Sequence, residues 1–203
     1  MQYIKLGNSD LNVSRICMGC MGFGDASRGQ HSWTVDESQT REIIRRGLEL
    51  GINFYDTAIA YQSGTSERYV GKALRDFAKR DDVVIATKFL PRTQQEIEDG
   101  ISGQQHISNM LDMSLKNLGV DYVDLYIYHM WDWQTDIHDI LDGLNRAVKA
   151  GKIRYWIMVK KVDSKKLFFM LYVASQIRLL AHLAFALHSH YAVGAYCRNH
   201  LCM

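Results

Sequence analysis

The chain has 203 residues, which is enough for one domain with a substantial core and short for two. The composition is ordinary for a soluble globular protein, and a formal net charge of +2 gives no reason to expect a nucleic-acid partner. Four cysteines are too few and too unevenly placed for a disulfide framework. The polar, mixed start MQYIKLGNSD does not have the pattern of a signal peptide, so we expect a reducing, cytoplasmic context.

A hairpin is predicted first, followed by strands that alternate with helices. The apolar runs 3–6 and 11–15 flank the turn sequence GNSD, and a short strand at 16–24 leads into a glycine-rich loop. The later strands are predicted at 52–56, 83–89, 122–129 and 153–157. The helices are predicted to begin near Val35, at Thr65 or Ser66, at Ile107 and at Ile137, with Gly51, Gly119 and Gly151 ending three of them.

Cys17 and Cys20 form a C-x-x-C pair within the first of these strands. Side chains three residues apart in a strand point to opposite faces, so the two thiols cannot converge on one metal ion. We therefore expect two buried, ordinary thiols.

Strands separated by helices of this length predict a parallel sheet with right-handed crossovers. A doubly wound sheet and a TIM-type barrel both satisfy the pattern. Gly19, Gly22 and Gly24 do not have the spacing of the G-x-G-x-x-G fingerprint that marks dinucleotide-binding doubly wound domains.

Polar residues fall where three predicted strands end. Asp56 ends one strand, Lys88 and His129 end the next two, and Tyr61 lies in the loop after Asp56. Each strand-end residue has the same parity as the apolar residues of its strand that are predicted to point inward. The carboxyl ends of the strands are where barrel enzymes hold their chemistry.

Each of these residues alone has an ordinary structural explanation, but together they make a proton-donating device. An ammonium near a phenol lowers the pKa of the phenol, and a carboxylate beside the ammonium keeps it charged in a dry pocket. The phenol then donates a proton to a carbonyl oxygen that gains negative charge, while a neutral imidazole orients that oxygen. Such a device reduces a carbonyl when a hydride donor is present.

Over residues 3–156, the chain resembles the aldo-keto reductase family. The matching stretches are LGNSDLNVSRICMGCMGFG, GINFYDTAIAYQSGTSERYVGKAL, DDVVIATKF, SLKNLGVDYVDLYIYH and AVKAGKIRYW. The resemblance implies a (β/α)8 barrel of the TIM type, with the N-terminal hairpin closing its bottom, that reduces aldehydes or ketones to alcohols.

The resemblance also assigns roles to the catalytic residues. It implies that Tyr61 donates the proton, that Lys88 and Asp56 tune it, and that His129 orients the carbonyl. NADPH is the implied cofactor, bound without a Rossmann domain, with Gly22 and Asp56 at its nicotinamide end. A small-molecule carbonyl compound is the implied substrate.

Within the family, the sequence is most similar to the broader branch that includes the β subunits of potassium channels. Those subunits keep the fold as binding partners. The alternative interpretation is therefore a non-catalytic relative, either a binding subunit or a non-functional product of splicing or frameshift.

Only about five barrel strands are predicted, whereas a TIM barrel usually takes about 250 residues. The family's Gly-x-Ser-Asn stretch, which holds the nicotinamide carboxamide, is not present after Trp156. We therefore divide the chain into a barrel part, 1–156, and a divergent apolar and basic tail, 157–203, and expect a C-terminally truncated barrel with very low turnover. An incomplete parallel sheet exposes edges that the tail, a second copy or a partner chain would cover.

Three interpretations of the tail remain open: a frameshifted or alternatively spliced end, a membrane anchor over 167–187, or a helix that packs on the sheet. Arg178 near the centre of the apolar stretch argues against the membrane anchor. The spacing of the His and Cys residues near the C-terminus matches no zinc pattern, so no metal site is predicted. These residues are His188, His190, Cys197, His200 and Cys202.

Overall fold

The computed structural model describes residues 1–132, 134–162, 166–172 and 193–195, and it describes side chains as far as Met158. Two antiparallel strands, β1 (Tyr3–Lys5) and β2 (Asn12–Ser14), form the predicted N-terminal hairpin. The helices are α1 (Glu37–Glu49), α2 (Thr65–Phe77), α3 (Gln94–Glu98), α4 (Gly103–Leu118) and α5 (Ile137–Lys149).

A second sheet contains seven strands, which lie side by side in chain order. The strands are β3 (Met18–Gly19), β4 (Phe54–Asp56), β5 (Val84–Phe89), β6 (Val123–Tyr128), β7 (Ile153–Val162), β8 (Lys166–Tyr172) and β9 (Val193–Ala195). The first five are parallel to one another, as predicted, and α1, α2, α4 and α5 follow β3, β4, β5 and β6.

Two apolar clusters cover the two faces of these parallel strands. The larger cluster lies between the sheet and the helices, and Tyr55, Ile85 and Tyr126 are among its fully buried strand residues. The smaller cluster lies on the opposite face, where β5, β6 and β7 meet Leu11 and Val13 of the hairpin. Burial on both faces is typical of a parallel sheet, and the hairpin closes the inner face at its lower end.

Local sequence explains where most helices begin. The Asp36 carboxylate accepts a hydrogen bond from the Gln39 backbone N–H and caps α1, as Asp136 does for α5. Ser102 caps α4 in the same way, so this helix begins four residues before the predicted Ile107. The short helix α3, with a capping box between Thr93 and Glu96, was not predicted.

The predicted side-chain cap of α2 is wrong. Gly64, with a left-handed backbone, precedes the helix and makes no side-chain cap. Thr65 Oγ1 instead donates to the carbonyl of Gln62, and Ser66 Oγ donates to the carbonyl of Cys20. Both hydroxyl groups therefore tie the start of α2 to neighbouring loops.

The prediction of two buried thiols is confirmed for Cys20 and wrong for Cys17, which is exposed. Cys17 precedes β3, the edge strand of the sheet, so its side chain remains open to solvent.

The predicted division at 156 falls inside β7, which continues to Val162. The helix considered for 167–187 is contradicted at its beginning, because Lys166–Tyr172 pairs with β7 as an antiparallel strand. The rest of that stretch and the His and Cys residues near the C-terminus lie outside the described residues. In the part of the chain that is described, no helix is both long and apolar enough to cross a bilayer.

Candidate active site

The strand ends bring the predicted residues to one edge of the sheet. Asp56 is the last residue of β4, Lys88 is the penultimate residue of β5, and His129 directly follows β6. The pairings Asp56 with Ala86 and Lys88 with Ile127 place these ends at neighbouring positions. The edge is the carboxyl end of all three strands, as predicted.

The predicted parity is confirmed for the apolar residues nearest the strand ends. Val84 and Ala86 below Lys88, and Leu125 and Ile127 below His129, belong to the smaller apolar cluster. Val123 and Ile52, predicted to face the same way, instead belong to or pack against the larger cluster. Lys88 and His129 therefore lie above an apolar floor formed by the smaller cluster.

Lys88 is the centre of the site. Its residue exposure is 8%, and its Nζ lies 2.9 Å from both carboxylate oxygens of Asp56, with the hydrogen bond to Oδ2. Nζ also donates to the Thr57 carbonyl at 2.8 Å and to the Tyr61 Oη at 3.1 Å. An ammonium has three N–H groups, so these acceptors fix its orientation.

Tyr61 reaches the site from a 3-10 turn, Tyr61–Gly64, which follows β4. Its ring lies under the Lys88 ammonium, with 4.8 Å between Nζ and the ring centroid. The same ring meets His129 edge-on, with 6.3 Å between the ring centroids and 80° between the ring planes. The four predicted catalytic residues therefore lie together, and they are called the tetrad below. The tetrad consists of Asp56, Tyr61, Lys88 and His129.

His129 is held by its backbone, whose N–H donates to the Phe89 carbonyl at 2.9 Å. Burial of the ring lowers the pKa of His129, and the nearby Lys88 charge lowers it further against a smaller opposing effect of Asp56. The imidazole is therefore neutral at physiological pH. Its buried Nδ1 has no hydrogen-bond partner in the described part of the chain.

Gly22, predicted at the nicotinamide end, lies in the turn that follows β3. Its carbonyl accepts from the Val35 N–H at 2.9 Å, and a Cβ added to it would stand 3.6 Å from the Trp33 ring. The pairing of Gly19 with Asp56 places this turn at the same edge as the tetrad.

Two residues that support the site were not predicted. Thr57 contributes its backbone carbonyl to Lys88, and a carbonyl contact leaves no side-chain signal in the sequence. Gln62 and the following Ser63 have left-handed backbones, at φ 47° and 53°. Such backbones cost about 1–3 kcal/mol per non-glycine residue, so the surrounding contacts must hold the turn.

A buried carboxyl group stabilises β5 behind Lys88. Glu67 accepts from Thr87 Oγ1 at 2.6 Å and from Asn117 Nδ2 at 2.8 Å, which joins α2 to β5 and α4. Burial raises the pKa of Glu67 against these hydrogen bonds. Because Thr87 precedes Lys88, the contact helps to fix the strand at the site.

The loops above the strands are also tied together. His106 of α4 contacts the Glu96 carboxylate at 2.9 Å and the Leu90 carbonyl at 2.8 Å. Arg92, in the loop after β5, donates to Thr135 Oγ1 in the loop after β6. In the described residues, no group of three or more His, Cys, Asp or Glu side chains is arranged to bind a metal ion.

Comparison with known proteins gives the same assignment. The aldo/keto reductase family matches residues 15–158. Norsolorinic acid reductase of Aspergillus flavus is 33% identical over 171 residues, covering 77% of this chain and 44% of that protein. A probable voltage-gated potassium channel subunit beta of Oryza sativa subsp. japonica is 33% identical over 158 residues, covering 77% of this chain and 45% of that protein.

A solved structure extends the similarity to the fold. Aldo-keto reductase AKR11C1 from Bacillus halodurans, in its holo form, superposes with a TM-score of 0.65 at 34% identity, over 79% of this chain and 51% of that one. The chain spans about half the length of the curated relatives it matches. Its five parallel strands are consistent with an incomplete barrel of the TIM type, as expected. The chain belongs to the aldo/keto reductase family.

Proposed function

We propose that this chain carries the carbonyl-reducing site of an NADPH-dependent aldo-keto reductase, with Tyr61 as the general acid. The observation that carries the proposal is the set of three hydrogen bonds made by the Lys88 ammonium, to Asp56, Thr57 and Tyr61. A buried ammonium held by a carboxylate and directed at a phenol can stabilise the phenolate that forms when the phenol donates its proton.

In this proposal, Tyr61 Oη donates its proton to the carbonyl oxygen of the substrate as that oxygen gains negative charge. The phenolate that remains accepts a hydrogen bond from Lys88 Nζ, 3.1 Å away. Asp56 holds the Lys88 ammonium in position, so this stabilisation is present before the reaction begins.

His129 orients the substrate in this proposal. A neutral imidazole N–H donates a hydrogen bond to the same carbonyl oxygen without competing with Tyr61 as an acid. The lowered pKa of His129 supports this role, because burial and Lys88 both favour the neutral ring.

The residues at this edge fit the reacting end of a nicotinamide cofactor. A Cβ added to Gly19 would meet nothing within 4 Å, so space is open beside Asp56, and His129 Nδ1 is a buried polar atom without a partner in the described residues. Gly22 and Asp56 are the residues proposed to line this end. NADPH, when bound, would supply the hydride.

A second candidate is a non-catalytic relative that keeps the tetrad but does not bind the cofactor productively. The family match ends at residue 158, so the residues that follow it are outside the part that resembles a reductase. The similarity to a potassium channel β subunit supports a binding role for such a relative.

A thermal melt of the purified chain, with and without excess NADPH, separates the two candidates. A ligand that binds only the folded state raises the melting temperature, by an amount that grows with its concentration. The reductase proposal predicts an upward shift that is smaller in Asp56→Ala, and a cooperative melt without any shift supports the non-catalytic candidate.

Other features of the proposal follow from the family and from composition. We propose a small-molecule aldehyde or ketone as substrate, a cytoplasmic location, and a division between a barrel part at 1–156 and a tail at 157–203. A second copy or a partner chain remains a proposal for covering the open sheet edge.

A further inference from the structure

The loop between β3 and α1, residues 25–34, packs against the turn that carries Tyr61. A single side chain makes most of the contact. Gln62 directly follows Tyr61, its exposure is 1%, and its amide points into the loop. The role proposed for Tyr61 makes no use of this amide.

The contacts of Gln62 are unusually concentrated. Its Nε2 donates to the carbonyls of Asp25 at 3.0 Å and His31 at 2.7 Å, and to that of Arg28. Its Oε1 accepts from the His31 backbone N–H at 3.0 Å. An amide nitrogen has two N–H groups, so three carbonyls share them, and one side chain bonds the backbone at three positions of the loop.

Packing around Gln62 shows that the loop is shaped to this side chain. Gly24 and Gly29 both have positive φ, and a Cβ added to either would stand 2.7 Å from an atom of Gln62. Thr65 adds a second connection, because its Oγ1 accepts from the Asp25 N–H at 2.9 Å. Loop and turn therefore form one packed unit.

The backbone of Gln62 supplies the other half of the argument. Gln62, Ser63 and Gly64 are three consecutive residues in the left-handed region. A non-glycine residue adopts that conformation only when its surroundings hold it there. The contacts of the amide with the loop, together with the hydrogen bond from Thr65 Oγ1 to the Gln62 carbonyl, can hold this backbone, and Tyr61 is the preceding residue.

We propose that Gln62 is a positioning residue: its amide latches the 25–34 loop to the strained turn and thereby fixes the ring of Tyr61 under the Lys88 ammonium. This inference rests on the proposed function for its effect on catalysis. The latch itself is a structural claim, so its test does not require turnover.

Replacement of Gln62 by glutamate tests the hydrogen bonds of the amide most directly. Gln62→Glu keeps the shape of the side chain but removes both N–H groups and sets a carboxylate against three carbonyl oxygens. Gln39→Glu, at an exposed position in α1, is the matched control, since it makes the same change of charge away from the loop. Gln62→Gly is the second variant, because glycine adopts the left-handed backbone without strain and loses the amide contacts together with the packing of the side chain against the loop.

Trypsin provides a direct readout of the latch. Arg28 has a side chain that is 59% exposed, while its carbonyl, at the bond that trypsin cleaves, is an acceptor of Gln62. We expect the fragment that ends at Arg28 to appear roughly tenfold faster in Gln62→Glu and Gln62→Gly than in the unmodified chain. The Gln39→Glu control should be cleaved at the unmodified rate.

Fluorine NMR of 3-fluorotyrosine at position 61 tests the effect on the ring. The resonance should move in both Gln62 variants and stay in place in Gln39→Glu. Where NADPH-dependent turnover is measured, kcat should fall roughly tenfold in Gln62→Gly with a smaller change in KM, because the proton donor and not the binding site is displaced. Equal cleavage at Arg28, or an unchanged fluorine resonance in Gln62→Gly, would overturn the proposal even in a chain without activity. Absence of turnover in the unmodified chain would instead count against the proposed function alone.

Discussion

Replacement of Lys88 by methionine tests how the site is held together. Methionine keeps an unbranched side chain, one atom shorter than that of lysine, and removes the charge and all three hydrogen bonds, to Asp56, Thr57 and Tyr61. Breaking a fully buried ion pair typically lowers the free energy of unfolding by about 3–5 kcal/mol. The Asp56 side chain is 32% exposed, so water compensates it in part, and we expect a loss of about 2–3 kcal/mol.

The contribution of the pair itself is measured by a double-mutant cycle of Lys88→Met and Asp56→Asn in urea unfolding. We expect a coupling energy of at least about 1.5 kcal/mol, because the pair lies above an apolar floor. Lys152 and Asp112 are the matched control: they lie 2.5 Å apart, but their side chains are 40% and 54% exposed. Exposed pairs contribute about 0–1 kcal/mol.

The comparison of the two cycles decides the question. A coupling energy at Lys88 and Asp56 no larger than that of the surface pair would refute the reasoning. The ammonium would then be solvated, and the ion pair with Asp56 would not stabilise its orientation toward Tyr61.

Three further predictions concern titration, packing and capping. Because the pKa of His129 is lowered in the fold, its neutral ring contributes fully to the free energy of unfolding above the unfolded pKa of about 6.5, and this contribution is lost as the pH falls below that value. His129→Gln should remove this loss. Parallel curves of unfolding free energy for the two proteins from pH 8 to 5.5 would contradict the buried neutral ring. Gly71 of α2 lies against the backbone of Leu118, so Gly71→Ala should lower the free energy of unfolding by about 1–3 kcal/mol in urea, whereas Gly19→Ala, where a Cβ meets nothing, should not; equal effects would argue against close helix packing. Asp36→Ala should lower the same quantity by about 1 kcal/mol through loss of the α1 cap, and no change would mean that solvent serves equally well.

The strands and the tetrad were predictable because both follow from simple periodicities. Alternation of side chains in β5 and β6 assigns Lys88 and His129 to the inner face, and their positions at the ends of strands assign them to one edge. Neither step requires knowledge of tertiary contacts. The combination with Asp56 and Tyr61 then points to one chemistry.

The supporting contacts were not predictable for a physical reason. Thr57 acts through a backbone carbonyl, which every residue has, and the Gln62 amide reaches the loop from a left-handed backbone that its residue type does not favour. The early start of α4 depends on Ser102 lying before any apolar periodicity begins. Exposure of Cys17 depends on which strand forms the edge of the sheet, and this is a property of the assembled fold.

The central claim, that Tyr61 is the proton donor of a carbonyl reductase, is tested most directly by NADPH oxidation in the presence of an aromatic aldehyde. Tyr122→Phe is the matched control, because Tyr122 lies at the opposite end of the strands from Tyr61. It directly precedes β6, and its hydroxyl contacts Asp81, which precedes β5. We expect slow turnover in the unmodified chain and in Tyr122→Phe, and a loss of at least about 100-fold in Tyr61→Phe. Turnover that survives in Tyr61→Phe, or no turnover in the unmodified chain, would contradict the proposal.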